Sequence, residues 1–261
     1  MPWIFELSVV LLVLVGSLLG AHEAGYRIGR RRRLRDGKDA GQGLGPTEGA
    51  IFALLGLLIA FTFSSAGSRL DHRRQLIAEE ANAISTSYLR LDLLGPELSA
   101  PIRPLYRDYL ELRSAQSRQT DLDPARPGAF DEIGAAHARI WKAVTAALEE
   151  RGNAALTMPV LVPLNEMIDI VSTRRMASML HPPAIVFFAL ALMSLLASFV
   201  AGHASGIGGN RSILHTALFV LAIAGAVYSI IEIEYPRLGF VTIHGADVLL
   251  IDLRPQLAPS P

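Results

Sequence analysis

Two short polar sets in this chain have the residue types from which an ion site could be built. They are Glu79, Glu80 and Asn82, and, much further along, Asn165, Glu166 and Asp169. Carboxylate and amide oxygens suit hard cations, and Asn165 and Asp169 stand four apart, on one face of a helix. The same residues serve equally to pair with Arg90, Arg174 or Arg175 and so to fix how two helices pack, and both uses stay open. Seven histidines, at 22, 72, 137, 181, 203, 215 and 244, show no metal-ligand spacing such as two on one helical turn with a glutamate; they read as surface or capping residues. The glycine-rich stretch 202–210 (GHASGIGGN) follows no strand and reads as a flexible turn, not a phosphate cradle. No serine sits in a GxSxG elbow and no triad is evident. Without cysteine there is no thiolate nucleophile, thiolate zinc site, iron-sulfur ligation or disulfide. The expectation is no enzyme, no cofactor and no metal.

The elements that must position these residues follow from composition. The 261-residue chain is 51% apolar and 18% charged, against about 25% charged in an ordinary soluble domain, and its mean hydropathy is +0.37. These are membrane-protein values. Its 24 basic residues balance 24 acidic ones, so no overall basic field attracts phosphate polymers, and nucleic acid is not an expected partner. Four apolar stretches, 3–21, 49–66, 184–201 and 213–231, reach the roughly 17 to 25 residues that a helix needs to cross the hydrocarbon core. Glu6 and His215 are the only Asp, Glu, His, Lys or Arg residues within them, and both lie near span starts, which argues against a buried proton relay or a voltage-sensing helix. Gly16 and Gly20 in the first span, and Ser194, Ser198 and Gly202 with Ala197 and Ala201 in the third, stand four apart. At that spacing small residues let helices approach, so these are the expected packing surfaces.

The first span has no basic segment before it and is followed by Arg27, Arg30, Arg31, Arg32, Arg33, Arg35 and Lys38, the order of a retained anchor, not of a cleaved signal. A multi-pass protein of the cell (inner) membrane is expected. Those seven charges and Arg211 share one side of the membrane, whereas Arg69, Arg73, Arg74, Arg174, Arg175 and Arg237 lie near the spans on the other. Concentration of charge directly after the first span puts the N-terminus outside. Arg30, Arg31, Arg32 and Arg33 are assigned to topology and to contact with anionic headgroups; recruitment of anions toward a pore mouth is the alternative use.

From 67 to 183 apolar residues recur at three and four positions with no period-two run, which reads as an α-helical extramembrane domain inserted between the second and third spans. Residues 69–94 contain neither Gly nor Pro, so the second span is expected to continue as one rod until Gly95-Pro96 stops it. Further helices are expected over 99–116, 129–151 and 159–179, separated by a loop at 117–128 and a break at 153–158, with His181-Pro182-Pro183 resetting the chain before the third span. After the fourth span, 240–253 fits a short hairpin or an interfacial segment, and 255–261 a frayed end. The chain thus reads as an all-α membrane protein in four parts: a first transmembrane pair with a basic loop (1–66), the helical domain (67–183), a second transmembrane pair (184–231) and a C-terminal tail (232–261).

Several strings resemble the bestrophin-like integral membrane proteins of bacteria and plants: FTFSSA at 61–66, RRQLI at 73–77, EEANAI at 79–84, YLRLDLL at 88–94, LNEMID at 164–169, Thr173-Arg174, His181-Pro182 and PRLG at 236–239. Bestrophins themselves are similar more distantly. They share two spans, a helical insert and two further spans, and a second span ending in Phe, a Ser/Ala-rich stretch and basic residues, here Phe61, Ser64, Ser65, Ala66, Arg69 and Arg74. The resemblance implies a pentameric ion channel whose narrow apolar neck is lined by one face of the second span. Carried over at helical spacing, the neck falls on Ala53, Leu57 and Phe61, of which Ala53 departs from the pattern by being small. Ser64 and Ser65 would offer hydroxyls to a permeating ion just beyond. The acidic calcium-binding cluster of animal bestrophins has no counterpart, so calcium gating is not implied. The resemblance also places the insert and both termini in the cytosol, against the charge count above. The expected partners are membrane lipid, further copies of the chain in a homo-oligomer, and small ions. The rival reading is a non-conducting membrane scaffold or sensor whose helical domain binds a protein partner.

Overall fold

The computed structural model describes residues 2–37, 45–117, 129–209, 211–236 and 244–257. Among these residues the regular elements are helices: α1 (Pro2–Asp36), α2 (Gly45–Arg90), α3 (Pro96–Ser99), α4 (Arg103–Ser117), α5 (Ala129–Arg151), α6 (Thr157–Met179), α7 (Ala184–Gly208), α8 (Ile213–Glu234) and α9 (His244–Ile251). Four helical stretches are long and apolar enough to cross a membrane, and the four expected spans lie in α1, α2, α7 and α8. Lys38, Asn210 and the stretches 118–128, 237–243 and 258–261 lie outside the described residues. The chain divides into two compact units, Met1–Ser68 with His181–Gly239, and Arg69–Leu180 with Phe240–Pro261.

In the first unit α1 and α7 meet backbone to backbone, but not at all of the expected residues. Around Gly16 and Gly20 nothing lies within 4 Å of where a Cβ would sit. At Gly25, Gly29, Gly202 and Gly206 a Cβ would instead run into the backbone of Phe199, His203, His22 and Tyr26 of the opposite helix. Ser198 does sit on the contact, where its buried hydroxyl donates to the Leu18 carbonyl at 2.7 Å. Two further expectations are corrected by the same packing. The basic run after the first span is not a loop but the end of α1, and residues 202–208 are not a flexible turn but the end of α7. Each glycine costs a helix about 1 kcal/mol relative to alanine, and here close backbone approach with its dispersion contacts offsets that cost. The two helices stop at glycines with left-handed φ, 67° at Gly37 and 72° at Gly209, a conformation that costs residues with a Cβ more. Leu55 and Ala66 of α2 and Val220, Ile223, Ala224 and Val227 of α8 complete the core of this unit.

In the second unit α2 continues unbroken from Arg69, as the absence of Gly and Pro predicts. It ends in a 3-10 turn at Leu91–Leu94, followed by Gly95 at φ 84°. The helix expected over 99–116 begins instead at Arg103. Pro101 and Pro104 have no N–H to donate, so the chain makes the single turn α3 and a bend in which the Ile102 N–H reaches the Ser99 carbonyl at 3.0 Å. The stripe Ile77, Ile84 and Tyr88 of α2 is buried, as are Tyr106 and Leu110 of α4, Ile140 of α5 and Leu164 of α6, and Tyr88 meets Tyr106 edge to face with ring centroids 5.8 Å apart. Arg73 donates to the carbonyls of Ala177 and Leu180, each at 3.2 Å, so a cation satisfies the open C-terminal end of α6. The hairpin or interfacial segment expected at 240–253 is, in its described part, the helix α9, continued as turns to Leu257. Leu250, Leu253 and Leu257 are buried, Tyr88 Oη donates to the Leu257 carbonyl at 3.3 Å, and Arg254 pairs with Glu111 at 2.6 Å. Those leucines stand three and four apart, a helical stripe that Gly245 before it and Pro255 within it disguise in the sequence.

Candidate functional site

Of residues 45–68, only Leu55 and Ala66 are buried. An advance of 100° per residue puts these two together on one side of α2 and places Ala53, Leu57, Phe61 and Ser64 within about 80° of one another on roughly the opposite side, with Ser65 beside them. All five are exposed in the chain, Leu57 at 52% and Phe61 at 65%. A contiguous apolar face left open in this way needs an occupant outside the chain. Chemically, apolar side chains of this size form a barrier to ions when several copies close around an axis, and hydroxyls just beyond them can replace part of an ion's hydration. The Thr62 hydroxyl is already engaged, donating to the carbonyls of Leu58 at 2.7 Å and Ile59 at 3.0 Å of its own helix.

Further along α2, in the second unit, the polar set read from the sequence comes apart. Glu80 alone turns inward: its side chain has no exposed surface, and both its oxygens are taken by arginines. Arg113 of α4 donates from Nη2 to Oε2 at 2.8 Å, and Arg174 of α6 donates to the same oxygen. Burial by itself pushes the Glu80 carboxyl up, but the Arg113 guanidinium and, after it, that of Arg174 outweigh burial and hold the group at about 2. Glu79, Asn82, Asn165, Glu166 and Asp169 are exposed. Glu79 accepts from Gln75 at 2.8 Å, and Asn165 donates to Asp169 at 3.3 Å. Arg175 stacks on Phe130 at 4.0 Å. The ion-pairing use of the set is therefore realised between Glu80 and Arg174, and it ties α2, α4 and α6 together.

Among the described residues no three His, Asp or Glu side chains converge as metal ligands. Not every histidine fits the surface-or-capping reading: His22 of α1 is buried, with its Nε2 3.4 Å from the Thr216 hydroxyl. His137 of α5 is buried against Tyr109, with ring centroids 5.0 Å apart, and among the described residues its Nε2 has no hydrogen-bond partner. Burial first, and then the charge of Arg113, push the His137 imidazole down to about 4 against the weaker pull of Glu80. His181 stacks on Tyr235 at 4.7 Å, and its Nδ1 lies 3.0 Å from the buried carboxylate of Glu234. Arg113, Tyr109 and His137 were missed in the sequence. The available signal was an arginine standing on the apolar stripe Tyr106, Tyr109, Leu110 of α4, where a charge is tolerated only with a buried partner.

Arg30, Arg31 and Arg33 are exposed on α1 and Arg32 is half-buried. Arg32 and Arg35 both pair with Asp36, and Arg27 and Arg211 both pair with Glu23.

A sequence model of the family described as Bestrophin-like domain matches residues 13–246. No curated protein and no solved structure matches the chain.

Proposed function

From this chain's membership of the bestrophin-like family we infer that it works as an ion channel of bestrophin type: a homo-oligomer, most simply a pentamer, in the inner cell membrane, with the α2 stripes of its copies facing a common axis. In this reading the chain conducts and does not catalyse. Residues 67–183 form the extramembrane domain inserted between the two transmembrane pairs. Ala53, Leu57 and Phe61 make the apolar neck, and Ser64 and Ser65 receive the ion beyond it. Closed rings are the ordinary outcome of self-association between identical chains. The observation that carries this reading is the open stripe of α2, opposite the side through which α2 joins its own unit. Phe61 is not a core residue of the single chain, so its bulk is free to close a ring.

Recordings from the reconstituted protein test the reading, with Phe61→Ala beside wild type. Removing a ring of phenyl groups admits water to the neck, so conductance rises and the resting channel leaks. Absence of current from both proteins, with a lower thermal midpoint in the variant, would move the assignment to the non-conducting scaffold. A monodisperse monomer by light scattering in mild detergent overturns the ring.

A further inference from the structure

We propose that the channel passes alkali cations in preference to anions, with the sign of the ion chosen by Asp71 and Glu79 on the open face of α2; this assignment rests on the channel reading above. The apolar neck cannot choose the sign. A dewetted constriction excludes ions of either charge, and residues 49–68 contain no Asp, Glu, His, Lys or Arg. The choice therefore falls to the first charged side chains on the same face of the same helix. Asp71 follows Ser64 by seven residues, a rise of about 10 Å.

In the second unit the open face of α2 is fixed by what is buried, since Leu70, Ile77, Glu80, Ile84 and Tyr88 turn inward. At 100° per residue Asp71, Glu79, Asn82, Thr86 and Leu89 fall within about 40° of Gln75 on the opposite side, and all six are exposed. No lysine or arginine stands in that stripe. Arg69, Arg73 and Arg74 lie about 100° or more from Gln75, and His72 and Arg90 about 60°. Arg73 is held by the carbonyls of Ala177 and Leu180. Arg74 meets Asp71 at 3.8 Å and offsets part of its charge. Glu79 is not offset: it accepts an amide N–H from Gln75 at 2.8 Å, which adds no positive charge, and it makes no ion pair among the described residues. Repeated around an axis, Glu79 with Asp71 before it makes rings of negative charge, and a lumen with low-dielectric walls focuses their field, gathering cations and holding anions off. The Gln75 amide gives its N–H to Glu79 and keeps its oxygen, which with those of Asn82 and Thr86 can replace part of a cation's hydration. These groups act as a field and not as a cage, for among the described residues no three His, Asp or Glu side chains converge. An anion pore would need Lys or Arg where Asp71 and Glu79 stand.

Reversal potentials of the reconstituted full chain in a KCl gradient test the assignment. Wild type should reverse on the potassium side of zero. Glu79→Gln should move the reversal potential toward zero, Asp71→Asn/Glu79→Gln further, and Glu79→Arg to the chloride side. Glu149→Gln/Glu150→Gln, which removes two exposed carboxylates of α5, should leave it in place. Raising KCl on both sides should weaken the wild-type preference, because salt screens charges that do not touch the ion. Glu79 is exposed, so Glu79→Gln should keep the wild-type melting temperature, and a change of sign in Glu79→Arg cannot come from poor folding. A wild type that reverses on the chloride side, or a shift in the α5 variant as large as that in Glu79→Gln, overturns the assignment and leaves the channel reading standing. Absence of wild-type current overturns the channel reading and this one with it.

Discussion

Arg113 Nη2 donates to Glu80 Oε2 across 2.8 Å in the interior of the second unit, where the glutamate side chain has no exposed surface and the arginine 8%. Arg174 reaches the same oxygen from a third helix and stays 15% exposed. One buried carboxylate thus orders α2, α4 and α6. Such a cluster contributes little net stability but is costly to break.

Glu80→Gln is therefore expected to destabilise the protein by about 3 to 5 kcal/mol, because it leaves buried guanidinium groups without their counter-charge. Arg174→Gln, removing the partner that water can reach, should cost less than Arg113→Gln. Replacing all three residues by leucine or methionine should recover most of the loss. Chemical denaturation of the four variants checks this, and a Glu80→Gln protein as stable as wild type refutes the clamp.

The pH dependence has two stages. Between about 6.5, the ordinary histidine value, and about 4, the value of buried His137, the unfolded chain binds a proton that the folded one does not, so stability falls as pH falls. From about 4.5 down to about 2 the depressed Glu80 carboxyl adds a second loss, since its contribution is complete above the ordinary carboxylate value. His137→Phe should flatten the melting temperature across the first window and leave the second. An unchanged slope above pH 4.5 would show that another group titrates there.

The glycines of α1 and α7 should respond with opposite signs. Gly202→Ala and Gly206→Ala force a Cβ into the backbone of α1 and should each cost about 1 to 3 kcal/mol, the usual penalty of overpacking. Gly16→Ala and Gly20→Ala meet open space and should be neutral or stabilise by roughly 0.5 to 1 kcal/mol through helix propensity. Melting temperatures in detergent decide the matter; equal losses at all four positions would contradict the packing.

Orientation is open to a direct measurement because the chain has no cysteine of its own. The arginines that end α1 favour a cytosolic position for the segment joining α1 to α2. A Gly41→Cys protein should resist a membrane-impermeant thiol reagent applied to intact cells. Labelling from outside would establish the opposite orientation, the one the bestrophin resemblance implies.

Properties that depend on the local chain were legible before any fold was known. Length and hydropathy mark four spans, because crossing hydrocarbon sets a minimum apolar run. The absence of Gly and Pro from 69 to 94 predicts the uninterrupted α2, because only those residues remove a helical hydrogen bond or free the backbone. The strings around Phe61 and Glu79 carried the family resemblance. Which residues do which job was decided by meetings between distant segments. Gly16 and Gly25 look alike in the sequence, and only the course of α7 makes one open and the other a contact. Glu79 and Glu80 are adjacent carboxylates, and the 100° turn between them sends one to solvent and the other to Arg113 and Arg174. Leu250 of α9, with Leu253 and Leu257 in the turns after it, became core because α4 and the far end of α2 offered them an apolar surface. A side chain's energy is set by what surrounds it, and those surroundings are assembled only when the chain has folded.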